Sequence, residues 1–274
     1  APAPTIHEFT ADGPIDLNIQ NLRGDITVRA EHTTAVAVTL TPRGRAAQEL
    51  VERMSVRFGN GRLTVDAPAA EAGHISGGFE DFIRGFADGR AGSSWSDRLA
   101  DSVRNLVRGA EGLASELSLE VVVPAGSRAV VSAGIGDVRV SGTLARLEVK
   151  SGTGDVRIER SAEDSTRLTT GTGDITADGA ATGDLRVHTG TGDVTLQRTD
   201  GEVEVSTGVG DIAVAAARSR RLSARTGLGD IEVRVAAGTA TRLDLATGFG
   251  DRDVQLTPTD GAGGAERTLE IEAK

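Results

Sequence analysis

The sequence contains no cysteine and no tyrosine, and only one tryptophan and six phenylalanines among its 274 residues. Without cysteine the chain has no disulfides, no thiol nucleophile and no thiolate metal ligands. The missing tyrosine and the single tryptophan also remove most of the rings on which sugars stack in carbohydrate-binding sites. These absences disfavour a polysaccharide-active enzyme, and they do not indicate a compartment.

Long apolar runs and an excess of positive charge are also missing. No stretch approaches the roughly 20 apolar residues that cross a bilayer, and residues 1–10 lack the basic and apolar regions of a signal peptide. The formal net charge is −10, whereas surfaces that bind nucleic acid are basic. We therefore expect no nucleic-acid partner and no transmembrane segment. The chain as given favours a cytoplasmic location, with export or the cell surface as the alternative if a signal was removed.

Glycine, by contrast, is abundant, with 36 residues, and much of it recurs in one motif. Seven copies read AGIGDV, SGTGDV, TGTGDI, TGTGDV, TGVGDI, TGLGDI and TGFGDR, and their first glycines are 18, 19, 19, 18, 19 and 21 residues apart. A near-constant period over this many copies is typical of stacked repeats rather than of a conventional globular core.

Each repeat carries two short segments in which apolar and polar residues alternate, which is the pattern of half-buried strands. The apolar pairs after the turns are Val138/Val140, Val156/Ile158, Ile175/Ala177, Val194/Leu196, Ile212/Val214 and Ile231/Val233. Those before the turns are Leu147/Val149, Leu185/Val187, Val203/Val205, Leu222/Ala224 and Leu243/Leu245, with Leu168 alone in the weakest copy. We predict an all-β fold, a parallel β-solenoid of about 18–19-residue coils, which we expect to be right-handed.

The turns are predicted to be structural. Two glycines around one residue permit positive φ or close backbone approach, and the Asp that follows can accept local backbone N–H bonds in an Asx-type turn. The hydroxyl residue before most turns, such as Thr189, is expected to bond to a neighbouring coil. The predicted turn residues are Gly134, Gly136, Asp137, Gly152, Gly154, Asp155, Gly171, Gly173, Asp174, Gly190, Gly192, Asp193, Gly208, Gly210, Asp211, Gly227, Gly229, Asp230, Gly248, Gly250 and Asp251.

The column of turn aspartates is the strongest candidate for metal chemistry. Calcium would relieve repulsion between stacked carboxylates, but backbone N–H and hydroxyl donors would relieve it too, and the motif matches no EF-hand loop. The four histidines lack a metal-ligand or catalytic spacing, and His188 is expected to point outward into solvent. The turns lead into strands and match no phosphate loop. We predict no metal, no cofactor, no catalytic residue and no enzymatic activity.

The repeat is irregular toward the amino terminus. We interpret residues 1–70 as degenerate capping coils, because residues 22–28 and 59–65 only approximate the motif. Residues 71–116 are predicted to form a Gly/Phe-rich helical insert, and residues 117–274 the regular GxGD coils, all within one continuous domain.

The insert is the preferred candidate for partner binding because it holds three of the six phenylalanines and the only tryptophan. Its apolar residues fall on two stripes of helical spacing. The candidate partner-binding residues are Phe79, Phe82, Ile83, Phe86, Trp95 and Leu99. The structural alternative is that the insert covers an open sheet edge or coil end.

The repeated TGxGD turns, preceded by a poorly repetitive start and a variable insert, resemble those of the bacterial putative-adhesin β-strand-repeat family, which has many actinobacterial members. The resemblance covers nearly the whole chain and implies a parallel β-solenoid, whereas adhesion itself does not follow from the fold. We expect a non-enzymatic binding or scaffolding module, adhesin-like by this resemblance, that binds a protein partner or itself. The alternatives are a polysaccharide-binding or polysaccharide-active β-helix and a self-assembling structural protein.

Overall fold

The computed structural model describes residues 3–67, 116–160, 162–179, 183–236, 241–256 and 271–272. These residues form 22 strands and one helix. In chain order the elements are β1 (Thr5–Thr10), β2 (Asp16–Arg23), β3 (Ile26–Glu31), β4 (Ala35–Arg43), α1 (Arg45–Arg53), β5 (Ser55–Gly59), β6 (Arg62–Asp66), β7 (Glu116–Pro124), β8 (Arg128–Ile135), β9 (Val138–Gly142), β10 (Arg146–Thr153), β11 (Val156–Ile158), β12 (Ser165–Thr172), β13 (Ile175–Ala177), β14 (Asp184–Thr191), β15 (Val194–Leu196), β16 (Val203–Val209), β17 (Ile212–Ala217), β18 (Arg221–Leu228), β19 (Ile231–Val235), β20 (Arg242–Phe249), β21 (Arg252–Leu256) and β22 (Ile271–Glu272).

The strands pair into two sheets of 11 strands each. Sheet A has the order β1-β4-β7-β3-β9-β11-β13-β15-β17-β19-β21, and sheet B has the order β22-β20-β18-β16-β14-β12-β10-β8-β2-β6-β5. From β8 onward the chain alternates between the sheets, and each new strand pairs in parallel with the strand one coil earlier. The predicted all-β parallel β-solenoid is confirmed.

The core lies between the two sheets and contains all of the predicted apolar pairs, together with apolar residues of the amino-terminal strands. In sheet A, Val156 pairs with Ile175 and Ile175 with Val194, so equivalent side chains stack from coil to coil. The predicted inward residues of both arms are buried. Each buried Val, Leu or Ile stabilises the fold by about 1.5–3 kcal/mol relative to an exposed one. The aliphatic columns are therefore the main source of the solenoid's stability.

The amino-terminal end departs from sequential stacking. The coil formed by β2 and β3 lies directly against β8 and β9, although more than 90 residues separate them in the chain. Beyond this coil, sheet A continues through the parallel strand β7 and then the antiparallel strands β4 and β1. Sheet B continues through β6 and the antiparallel β5. Antiparallel strands thus end both sheets on this side.

Residues 59–65, interpreted from the sequence as part of the degenerate capping coils, do not form a complete parallel coil. They form most of the β5–β6 hairpin, whose turn places Asn60 at φ 50° and Gly61 at φ 68°. An Asn-Gly pair with positive φ at both residues is the preferred two-residue hairpin turn. Only the second strand of the hairpin, β6, continues the parallel stack, by pairing with β2.

The helix α1 was not predicted from the sequence. Its residue Ala47 is fully buried, and Leu50 and Val51 are partly buried against the core. This spacing places one apolar face of the helix on the sheet, near β4 and β7. The predicted helical insert, residues 71–116, lies outside the described residues except for Glu116, the first residue of β7.

Candidate functional site

The GxGD turns align along one corner of the solenoid, between the strands of sheet B and those of sheet A. We call this corner the GxGD ridge, and it also includes the Gly24–Asp25 turn of the first coil. The second glycine of each of the seven later turns has φ between 138° and 143°. A Cβ on Gly173 would lie 2.2 Å from the carbonyl oxygen of Gly154 in the preceding coil. Positive φ and close stacking of the backbone therefore both require glycine at this position.

The aspartates of the ridge form a hydrogen-bonded column. Each Oδ1 accepts the backbone N–H of the aspartate one coil further on, at donor–acceptor distances of 2.7–3.1 Å from the Asp25–Asp137 pair to the Asp230–Asp251 pair. The expected local Asx turn is thus replaced by a bond between coils. Stacking places the carboxylate within hydrogen-bonding distance of the N–H of the next turn. The sequence of a single turn does not reveal this donor, because the donor belongs to another coil.

Loss of one hydrogen bond in the middle of the aspartate column should lower the stability of the fold. Asp193→Ala removes the acceptor of the Asp211 N–H, a bond of 2.8 Å, and should lower the free energy of unfolding by about 1 kcal/mol. Asp193→Asn retains an Oδ1 acceptor and should stay within about 0.5 kcal/mol of the parent. Urea unfolding of the two variants measures the difference. Equal losses for Ala and Asn would show that charge, not the hydrogen bond, stabilises the column.

The threonine before each turn forms a second column. Thr189, Thr207 and Thr226 donate their hydroxyl protons to the carbonyls of the second glycine in the preceding turn, at 3.2, 3.1 and 2.9 Å. Thr170 and Thr247 make the equivalent contacts. In the first coil Asn21 takes this place, and its amide donates to the Leu117 carbonyl. The predicted hydroxyl contacts between coils are therefore present at these five threonines, whereas the buried Ser151 hydroxyl at the equivalent position has no hydrogen-bond partner among the described residues.

The residue between the two glycines changes character along the ridge. It is threonine in three successive turns, at Thr153, Thr172 and Thr191, and becomes Val209, Leu228 and Phe249 in the last three. These three apolar side chains are 42%, 48% and 77% exposed. No role was assigned to this position from the sequence, although the change from threonine to large apolar residues is visible in the repeat.

The outer face of sheet B carries charged side chains around shallow grooves of about 300 and 380 Å³. Its charges pair across coils, as in Arg186–Glu204 at 3.6 Å and Arg225–Asp244 at 2.9 Å. Exposed pairs of this kind contribute at most about 1 kcal/mol each. The mixed charges indicate a solvated face and give no specific ligand chemistry.

His188 lies on this face but differs from the expected solvated side chain. Its ring is half-buried, and Nδ1 lies 2.7 Å from the Ser206 hydroxyl one coil further on. Burial lowers the pKa of the His188 imidazole, because desolvation disfavours the charged ring. The lowered pKa favours the neutral ring, which is part of the packed surface.

The candidate partner-binding residues, metal ligands and membrane-spanning segments remain to be placed. Phe79, Phe82, Ile83, Phe86, Trp95 and Leu99 lie outside the described residues, so their role in partner binding stays a prediction. Within the described residues, no three His, Asp or Glu side chains are grouped so that they could hold a metal ion. In the same parts of the chain, no helix has the length and apolar character needed to cross a membrane.

Comparison with solved structures shows a similar fold in a bacterial protein. A putative adhesin from Bacteroides fragilis superimposes with a TM-score of 0.54 at 14% identity, over 94% of this chain and 98% of that one. A putative cell adhesion protein from Clostridium sporogenes gives 0.40 at 10% identity, over 94% and 100%. A putative lipid binding protein from Parabacteroides distasonis gives 0.33 at 8% identity, over 99% and 96%. At such identities the first of these likenesses supports the fold alone, and the other two carry no argument.

Comparison with curated proteins gave no match. The family model described as Toastrack DUF4097, however, matches residues 15–271. This range runs from the first coil through the regular GxGD coils to β22. The chain therefore belongs to the Toastrack DUF4097 family.

Proposed function

We propose that this protein is a non-enzymatic binding or scaffolding module whose main recognition element is the segment of residues 71–116. Its candidate contact residues are Phe79, Phe82, Ile83, Phe86, Trp95 and Leu99. The solenoid would serve as a rigid support that presents this segment to a protein partner. The proposal concerns binding only. Membership of the family supports the fold and does not identify a ligand.

The arrangement of the strands around the segment carries this proposal. Residues 71–116 follow β6 and lead into β7. Each of these strands already has a hydrogen-bonded neighbour on both sides, β2 and β5 for β6, and β3 and β4 for β7. Pairing with the segment is therefore not needed to protect either strand edge. This argues against the structural alternative at β6 and β7 and favours a binding role for the aromatic side chains, whereas the outermost strands β1 and β5 each have a neighbour on one side only among the described strands.

The use of polar groups along the GxGD ridge supports a scaffold rather than an enzyme. The Oδ1 atoms of the aspartates accept N–H groups of the next coil, and the threonine hydroxyls donate to glycine carbonyls. These groups stabilise the stack. A general acid or base, in contrast, needs a proton that it can exchange with a substrate.

Replacement of the segment by a flexible linker tests the proposal. We expect that exchanging residues 71–115 for a Gly/Ser linker of equal length leaves the thermal midpoint of the solenoid within a few degrees and abolishes specific partner capture. The measurement is a quantitative pull-down from the native host, with a photoreactive residue at position 82 to identify direct contacts. A photoreactive residue at Thr176, on the outer face of sheet A, is the matched control.

Two outcomes would count against the proposal. If the linker variant captures the same proteins in the same amounts, the segment is not the recognition element. If the variant instead loses several kilocalories per mole of stability and aggregates, the segment covers the fold, as the structural alternative holds.

A further inference from the structure

We propose that the carboxy-terminal end of the GxGD ridge is a second binding surface, which takes an amphipathic protein segment with apolar and basic residues. The surface comprises Val209, Leu228 and Phe249 together with the aspartates Asp211, Asp230 and Asp251. We call it the apolar-acidic stripe. It lies at the opposite end of the solenoid from β6 and β7, the strands between which residues 71–116 run in the sequence, so the inference rests on different residues from the function proposed above.

The apolar side chains of the stripe are not required by the fold. Thr172 and Thr191 occupy the same position in the same turn, with the same glycines, aspartate and preceding threonine. Their second glycines have φ of 141° and 143°, and those of the Leu228 and Phe249 turns have φ of 142° and 143°. The backbone conformation of the turn is thus the same whether threonine or a large apolar residue lies between the glycines. Stacking of the coils therefore does not account for large apolar side chains at three successive exposed positions, and contact with another molecule would.

The three side chains form a contiguous patch. Val209 pairs in register with Leu228, and Leu228 with Phe249. Neighbouring parallel strands lie about 4.8 Å apart, so the side chains stand side by side over about 10 Å. Aligned exposed apolar groups on an otherwise polar surface are characteristic of interaction sites.

A column of carboxylates runs beside this patch. Asp211, Asp230 and Asp251 each follow the apolar residue of their turn after a single glycine, and all three are exposed. Among the described residues none of them makes an ion pair. At the other end of the ridge, Arg139 pairs with Asp137 at 3.2 Å and with Asp25 at 3.8 Å. Negative charge is therefore unneutralised where the apolar patch lies.

Charge complementarity selects the partner. An apolar row beside an acidic row matches a protein segment with apolar residues beside Lys or Arg. A second copy of this chain carries the same net charge of −10 and would be repelled, as would an anionic membrane. Residues 257–270 of the chain itself contain three acidic residues and one arginine, so they do not complement the stripe either.

Binding of defined peptides by the full chain tests the inference. The probe is a fluorescein-labelled 14-residue peptide of leucine and lysine, compared with matched leucine–glutamate and serine–lysine peptides, by fluorescence anisotropy. We expect the leucine–lysine peptide to bind, and its affinity to fall as salt rises because exposed charges are screened. We expect the other two peptides to bind at least about tenfold more weakly.

Variants taken from the repeat itself locate the site. Val209→Thr, Leu228→Thr and Phe249→Thr together give the last turns the sequence TGTGD found earlier in the ridge, and should weaken peptide binding at least about tenfold. Asp211→Asn, Asp230→Asn and Asp251→Asn keep an Oδ1 acceptor for the stack, and should weaken binding several-fold and flatten its salt dependence. The converse change, Thr172→Leu with Thr191→Leu, lengthens the patch and should strengthen binding.

The remaining outcomes decide against the inference. Equal binding by the parent and the triple threonine variant, or no binding of the leucine–lysine peptide, overturns it. Binding to phosphatidylcholine vesicles without peptide binding would instead assign the stripe to a lipid surface, and dimerisation lost in the threonine variant would assign it to a second copy. The variant with residues 71–115 replaced should bind the peptide as the parent does, which separates this inference from the proposed function.

Discussion

Gly173→Ala, like the same change at the second glycine of the other turns, is expected to cause a large loss of stability. Gly173 has φ of 141°, which side chains other than glycine rarely adopt, and strain of this kind costs about 1–3 kcal/mol. The added Cβ would also lie 2.2 Å from the Gly154 carbonyl oxygen and 2.6 Å from its carbon. Because both atoms belong to the backbone of the neighbouring coil, relief requires the coils to separate. We expect a loss of at least about 3 kcal/mol in urea unfolding.

Other glycines of the chain separate the two causes of this loss. Gly171→Ala introduces a Cβ 2.6 Å from the Gly152 carbonyl oxygen without positive φ, whereas Gly61→Ala introduces positive φ of 68° with no atom within 4 Å. Gly13→Ala meets neither condition. We expect about 1 kcal/mol for Gly61→Ala, little for Gly13→Ala, and a larger loss for Gly171→Ala than for Gly61→Ala. If Gly173→Ala unfolds like Gly13→Ala, close stacking of the turns is not what the second glycine provides.

The same features of the turns explain why the regular coils could be predicted from the sequence. Each turn fixes the start of a strand, so the alternation of Val194 and Leu196 falls into register with Ile175 and Ala177 without further information. A shift by one residue would turn every apolar side chain outward. Period, alternation and turn therefore agree, and together they specify one stacking arrangement.

The amino-terminal end could not be predicted in the same way because its neighbours are not adjacent in the repeat. The coil of β2 and β3 pairs with strands that come after residue 115, and β4 runs antiparallel to β7. No period relates these segments. The Asn60–Gly61 turn was nonetheless readable as a hairpin, and Ala47, Leu50 and Val51 have the spacing of one helical face. Both places thus carry a local signal that is independent of the repeat.

In the GxGD ridge, some residue roles can likewise be predicted from a single repeat, and others depend on contacts between coils. The glycines and threonines could be assigned from a single turn. The aspartate bond could not, since its N–H donor belongs to the next coil, as in the 2.7 Å contact from Asp230 N to Asp211 Oδ1. The apolar-acidic stripe likewise exists only because Val209, Leu228 and Phe249 come from three different coils. In such a fold, a functional surface is formed by equivalent residues of successive coils. Comparison of equivalent positions across the repeats is therefore the way to find it in the sequence.

Val194→Asp should have the second large effect, because it interrupts a column in the middle of the stack. Val194 is fully buried between Ile175 and Ile212 of the adjacent coils. A carboxylate there has no partner and loses its hydration, which costs several kcal/mol. In a stack each coil contacts only its neighbours, so the coils beyond β15 should lose protection before those on the amino-terminal side. Hydrogen exchange with mass spectrometry measures this as faster exchange in β17, β19 and β21.

Two matched variants show whether burial of the charge is the cause. Val194→Ala removes apolar volume at the same site without adding charge, and should cost about 2–3 kcal/mol with exchange remaining cooperative. Thr195→Asp places a carboxylate on the next residue of β15, which faces outward, and should change stability by less than about 1 kcal/mol. If Val194→Asp slows or leaves unchanged the exchange of β19 while destabilising β3 and β9, coupling does not pass from coil to coil through this column. The stability of the carboxy-terminal coils, and of the apolar-acidic stripe that they carry, would then have another origin.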